Sequence, residues 1–177
     1  IRDPEMSRGL GDVYKRQAGG YTMPLPEKDE MYLTKGKMLQ DIVVCLGGRI
    51  AESLVFDDVT TGAVQDIRQA TERARDMVTK YGFSDELGMI NYSTSDDEVF
   101  IGREIGHAKN FSEGTAAVID QEVKRIIESC REKATKILKE NRKVLDKLAE
   151  LLIEKERIGQ QEFEALFEQN DETIEEM

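Results

Sequence analysis

Histidine is nearly missing from this chain. One, His107, stands among 177 residues, so two histidines four apart on a helix cannot occur and the H-E-x-x-H zinc-peptidase motif is ruled out by arithmetic. Cysteine is scarce as well. Cys45 and Cys130 lie far apart in sequence, each within an apolar helical pattern, and read as buried free thiols of a reducing compartment, not as a disulfide or a metal pair. Positive charge is in deficit: the formal net charge of -11 argues against nucleic acid and against an anionic membrane surface as direct partners. No apolar run approaches the ~20 residues that span a bilayer. Arg2, Asp3, Glu5 and Arg8 leave no room for a signal-peptide core. Neither a phosphate-binding loop, nor a G-x-G-x-x-G turn, nor a G-x-S-x-G elbow is present. A dyad of His107 with either thiol stays open but disfavoured, because both cysteines read as core positions.

What is there is a charged, helical sequence. Hydrophobic residues make up 39% and charged residues 34%, and the length suits one ordinary domain or a piece of a larger protein. Residues 1–17 carry no helical or strand period. Their GDVYKRQ ending resembles adaptor-derived sequence at the ends of assembled reads, with a natural flexible terminus as the alternative. Gly20 to Leu25, closed by Pro24 and Pro26, reads as an edge strand or extended segment. Thr34 offers an N-cap for a helix from Lys35 to about Phe56, with Met38, Leu39, Ile42, Cys45 and Leu46 on its apolar face and Val43 and Val44 widening it. Gly47 and Gly48 in its middle cost roughly 1 kcal/mol each relative to alanine, which usually marks a closely packed neighbouring backbone.

A second helix is expected from about Ala63 to Tyr81, with Ala63, Ile67, Ala70, Ala74, Met77 and Val78 as its buried stripe and Gly82 as its stop. Met89 to Tyr92 and Val99 to Ile101 are short β candidates in a loop-rich stretch. Ser112 offers an N-cap, and from there the chain is helical. One long helix should run to about Glu140 on Ala116, Ile119, Val123, Ile126, Ile127, Cys130, Ala134, Ile137 and Leu138; a second, from Asn141 to about Glu154, uses Val144, Leu145, Leu148, Leu151 and Leu152. Gly159 precedes a short final helix with Phe163, Leu166 and Phe167.

Two carboxylates can be weighed on their own surroundings. Asp66, in a first helical turn beside the apolar stripe, is by default a solvated or dipole-stabilising residue. Glu52, three residues after Arg49, is by default an intrahelical ion-pair partner. The motifs around them change that weighting. GGRIAESLVF, VTTGAVQDIRQATERARDMV and KYGFSDELG, at these spacings, resemble the peptidase domain of the FtsH family, membrane-anchored ATP-dependent zinc metalloproteases of bacteria, mitochondria and chloroplasts. GYTMPLP and the helical sequence from SEGTAAV to DKLAE extend the likeness over about Ala18 to Phe167.

The resemblance implies a mainly α fold: a helical zinc-peptidase domain with a short β edge segment and a C-terminal helical bundle. It places Asp66 at the family's third zinc ligand and Glu52 at a glutamate that orients a histidine ligand. Gly20, Tyr21, Thr22 and Met23 fall on the strand beside the cleft, where an extended substrate can add its backbone, with a plain edge strand as the alternative. It further implies hydrolysis of internal peptide bonds in unfolded and membrane proteins, zinc as cofactor, ATP and Mg bound only by a separate ATPase domain, a homo-hexamer, and a location on the cytoplasmic face of the bacterial inner membrane. The H-E-x-x-H helix should lie upstream of GYTMPLP, where residues 1–17 stand instead, and the ATPase module and anchor are not found. The chain therefore reads as a fragment: residues 1–17 outside the family, 18–168 a partial peptidase domain, 169–177 an acidic disordered tail. It lacks the two histidine ligands and the general-base glutamate, so inactivity alone is expected. A non-catalytic helical scaffold or pseudoprotease is the rival reading.

Overall fold

Thr34 starts the first helix as its side chain predicts: the hydroxyl accepts the Lys37 N–H at 3.1 Å and covers a donor that has no intrahelical partner. This fold is described by a computed structural model over residues 32–56, 58–93 and 111–175. Helix α1 spans Lys35–Val55, a 3-10 turn spans Thr61–Ala63, and α2 follows at once over Val64–Thr79. Helices α3 (Glu113–Glu140), α4 (Arg142–Lys155) and α5 (Gln160–Glu175) complete the described elements, among which there is no strand.

Apolar residues at every third or fourth position decide which faces are covered. Met38, Ile42, Leu46 and Ile50 of α1 meet Ala70, Ala74, Met77 and Val78 of α2 and Ile119, Ile126, Cys130 and Ala134 of α3 in one core. The alanines of α2 and α3 let the helices approach closely, and the larger Ile42, Met77 and Ile119 fill the space between them, each stabilising by about 1.5–3 kcal/mol relative to exposure. Ser112 caps α3 by accepting the Thr115 N–H at 3.2 Å. At the end of α2 the Phe83 N–H reaches back to the Met77 carbonyl at 2.8 Å, across Gly82 at φ +61°. An alanine Cβ at Gly82 would lie 3.1 Å from the Met89 backbone, so both conformation and space require glycine.

Helices α4 and α5 form a hairpin whose inner side holds the buried Val144 and Leu166. Phe163 and Phe167 stack edge to face at 5.3 Å. Glu156 ends α4 in the left-handed region at φ 59°, and Glu162 binds both Lys155 (2.7 Å) and the Gly159 N–H (3.3 Å) across the turn. A long-range tie fastens the hairpin: Arg142, gripped by Asp146, donates to the Leu54 carbonyl at 2.9 Å, one of the unpaired carbonyls at the end of α1.

Several expectations change. Val44 is 76% exposed, because at 3.6 residues per turn it lies about 200° round the helix from Ile42; only Val43 widens the face. Ile67 and Ile137 fit the apolar spacing but are exposed, lying at the ends of their stripes where no described residue covers them. Cβ atoms built at Gly47 and Gly48 meet nothing within 4 Å, so no described backbone packs there. Met89 to Tyr92 form no strand: the Tyr92 N–H is taken by the Thr79 carbonyl at 2.7 Å, which ties this stretch to the end of α2. The last helix continues to Glu175, into the stretch read as a disordered acidic tail. The Gly20 to Leu25 and Val99 to Ile101 strand candidates lie outside the described residues, as do residues 1–17.

Candidate metal-ligand face

Asp66 is the third residue of α2, in its first turn, and is exposed. No hydrogen bond or ion pair joins its carboxylate to another described residue, so its oxygens are available. Helix α1 packs beside α2. Burial raises the Cys45 thiol above its ordinary value; Arg73 opposes that shift, while the charges of Asp66 and Asp41 add to it. Arg73 links the two helices, donating to Cys45 Sγ at 3.5 Å and lying 3.9 Å from Asp41. Both cysteines are free, and burial also pushes up the Cys130 thiol, so neither is poised as a nucleophile.

Glu52 sits in the last turn of α1. Its Oε1 accepts the Thr60 hydroxyl at 2.7 Å and its Oε2 the Thr60 N–H at 3.3 Å. These two bonds, with a smaller contribution from Arg49, hold the carboxyl below its usual range. Arg49 lies 3.7 Å from Glu52 Oε2, the ion pair that the spacing suggests, and also donates to the Thr60 carbonyl. Thr60 Oγ1 in turn accepts the Gly62 N–H at 3.2 Å and caps the turn that leads into α2.

A third carboxylate escaped the sequence reading. Glu122 of α3 is only 8% exposed. It accepts the Ser84 hydroxyl at 2.7 Å and two bonds from Arg125, at 2.7 and 2.8 Å. The Arg125 guanidinium is the main reason its carboxyl falls to about 2, against a burial effect in the opposite direction. Ser84 also accepts the Leu87 N–H, so Glu122 fixes the loop that leaves α2. The signal was legible: Glu122 lies three residues after Ile119 and four before Ile126, on the buried stripe.

A hydrolytic zinc takes three protein ligands and keeps a fourth position open. Among the described residues no group of three His, Cys, Asp or Glu side chains could hold a metal, and the sequence contains one histidine. The described residues do not fit a complete zinc site. His107 and the candidate substrate strand, Gly20, Tyr21, Thr22 and Met23, lie outside the described residues. No helix among the described residues is long and apolar enough to cross a membrane.

Comparison with known proteins gives this face a context. The sequence model of peptidase family M41 matches residues 13–166, beginning inside the segment expected to lie outside the family. The chain is 52% identical over 159 residues to the ATP-dependent zinc metalloprotease FtsH 1 of Thermoanaerobacter sp. (strain X514), covering 90% of this chain and 26% of that protein. It is 49% identical over 166 residues to the ATP-dependent zinc metalloprotease FtsH of Caldicellulosiruptor bescii, covering 94% and 27%. With the FtsH of Thermotoga maritima the identity is 43% over 158 residues, covering 89% and 26%. The chain spans about a quarter of the length of these curated relatives.

Proposed function

Because the chain belongs to peptidase family M41, we propose that it is the peptidase-domain portion of an ATP-dependent zinc metalloendopeptidase, and that Asp66 is the zinc ligand it contributes. One observation supports this most strongly: at the position where the family motif calls for a ligand, the fold presents an exposed carboxylate with no partner among the described residues, on the rigid first turn of a helix. Zinc, when bound, would supply Lewis-acid activation of a peptide carbonyl and of water. What these residues do is narrower. Asp66 offers a hard oxygen donor, and α1, α2 and α3 hold it on a packed scaffold.

The substrates on this reading are unfolded and membrane polypeptides, delivered by an ATPase module outside these residues to a homo-hexamer at the cytoplasmic face of a bacterial inner membrane. The 177-residue chain by itself binds zinc weakly and does not cleave peptides, because one histidine cannot complete the ligand set. That same histidine count favours the second reading, a non-catalytic helical scaffold. The genomic sequence upstream of Gly20 separates the two. An in-frame H-E-x-x-H supports the peptidase, and the polypeptide carrying it should hold one zinc that Asp66→Asn removes. An authentic start with no such motif supports the scaffold.

A further inference from the structure

Thr60 is held from every polar atom it has. Its carbonyl accepts from Arg49, its N–H and its hydroxyl both donate to Glu52, and the hydroxyl oxygen accepts the Gly62 N–H. Both captors sit on α1, one turn apart, and are themselves paired at 3.7 Å. From Thr60 the chain passes without a break through the 3-10 turn into α2. Ala63, buried at the junction, pins that passage from the apolar side. A continuous helical rise of 1.5–2.0 Å per residue carries this anchor roughly 10 Å to Asp66. Such a span transmits position, because the 3-10 turn, closed by the Val64 N–H on the Thr61 carbonyl, runs directly into the helix.

We infer that Arg49 and Glu52 are positioning residues for Asp66, acting through Thr60: they set where the first turn of α2 begins and so where the Asp66 carboxylate stands relative to α1. This gives Glu52 a task within the chain itself, because each of its oxygens accepts a bond from Thr60. It also gives Arg49 and Thr60 roles in the ligand face that their exposure alone would not suggest. The functional meaning rests on reading Asp66 as the zinc ligand; the geometry does not. A positioning device on the surface should control direction far more than global stability, because exposed hydrogen bonds contribute little net energy.

The test uses the 15N-labelled 177-residue chain, weakly aligned, without metal. Residual dipolar couplings of the Val64 to Ile67 amides report the direction of the first turn of α2, and hydrogen exchange reports the Gly62 amide. Glu52→Met, Arg49→Gln and Thr60→Val should each change the Val64 to Ile67 couplings, leave those of Ala74 to Val78 as they are, and leave the melting temperature near that of the parent. Thr60→Val and Glu52→Met should raise Gly62 exchange about tenfold, the loss of roughly one hydrogen bond. Thr60→Ser, which keeps the hydroxyl, should restore both signals, a rescue that loss of packing at this position would not show. Unchanged couplings and exchange in Glu52→Met and Arg49→Gln would overturn the inference. Failure of the peptidase reading would appear elsewhere, as zinc content of the longer polypeptide carrying H-E-x-x-H that is indifferent to Asp66→Asn.

Discussion

At its N-terminal end, α2 is held to α1 through Thr60, whose hydroxyl donates to Glu52 and whose carbonyl accepts from Arg49; at its C-terminal end it is held to α3 through Ser84, whose hydroxyl donates to Glu122, itself paired with Arg125. Each fastening uses a glutamate, an arginine three residues away on the same helix, and one hydroxyl donor. They differ in depth. The Glu122 side chain is 10% exposed and the Glu52 side chain 25%, and the hydroxyl partner is buried at Ser84 but exposed at Thr60. The same chemistry should therefore do different work: a buried carboxylate whose partners lose it leaves unsatisfied groups and costs stability, whereas an exposed one gives its partners back to solvent and costs only geometry.

Removing the deep fastening should have the largest effect. Glu122→Ala strands the Ser84 hydroxyl and should destabilise the chain by about 2–3 kcal/mol in chemical denaturation; a loss no greater than that of Glu52→Ala would erase the comparison. Acid should find the same residue. The Glu122 carboxyl is lowered from 4.5 to about 2 in the folded chain, so it binds protons more readily unfolded than folded. Its contribution is complete above pH 4.5 and is lost as the pH falls from there through about 2. In thermal melts across that window Glu122→Gln should show a shallower pH dependence than the parent, and parallel curves would contradict the assignment.

The glycines at the two ends sharpen the contrast. Gly82→Ala forces a left-handed φ and a Cβ against the Met89 backbone, and should cost about 1–2 kcal/mol. Gly62→Ala meets only the Thr60 hydroxyl, at 3.3 Å and with no positive φ, so denaturation should register a smaller loss. In the middle of α1, Gly47→Ala and Gly48→Ala point into open space and should each stabilise this chain by about 0.5–1 kcal/mol. A loss at either position would show that something packs against α1 there.

How far the sequence alone reached depended on what each feature required. Thr34 and Ser112 could be read as caps, and Met38, Ile42 and Leu46 as a buried face, because both signals are local and repeat at the helical period. Val44 turns to solvent although valine content suggests a wider apolar face, because angular position decides what is covered. Met89 to Tyr92 looked like a strand from composition, yet a strand is defined by its partner, and Tyr92 found the end of a helix instead. Asp66 was legible only through its motif; its lack of a partner needed three dimensions. The Glu52–Thr60 and Glu122–Ser84 bonds span 8 and 38 residues, and nothing in residue spacing announces them.

On the proposed reading, Asp66 contributes one ligand to an otherwise incomplete zinc site. Equilibrium dialysis of the purified 177-residue chain against zinc, followed by metal analysis and a casein-cleavage assay, should find no stoichiometric zinc at submicromolar free metal and no cleavage. One tightly held zinc per chain with chelator-sensitive casein hydrolysis would overturn the proposal.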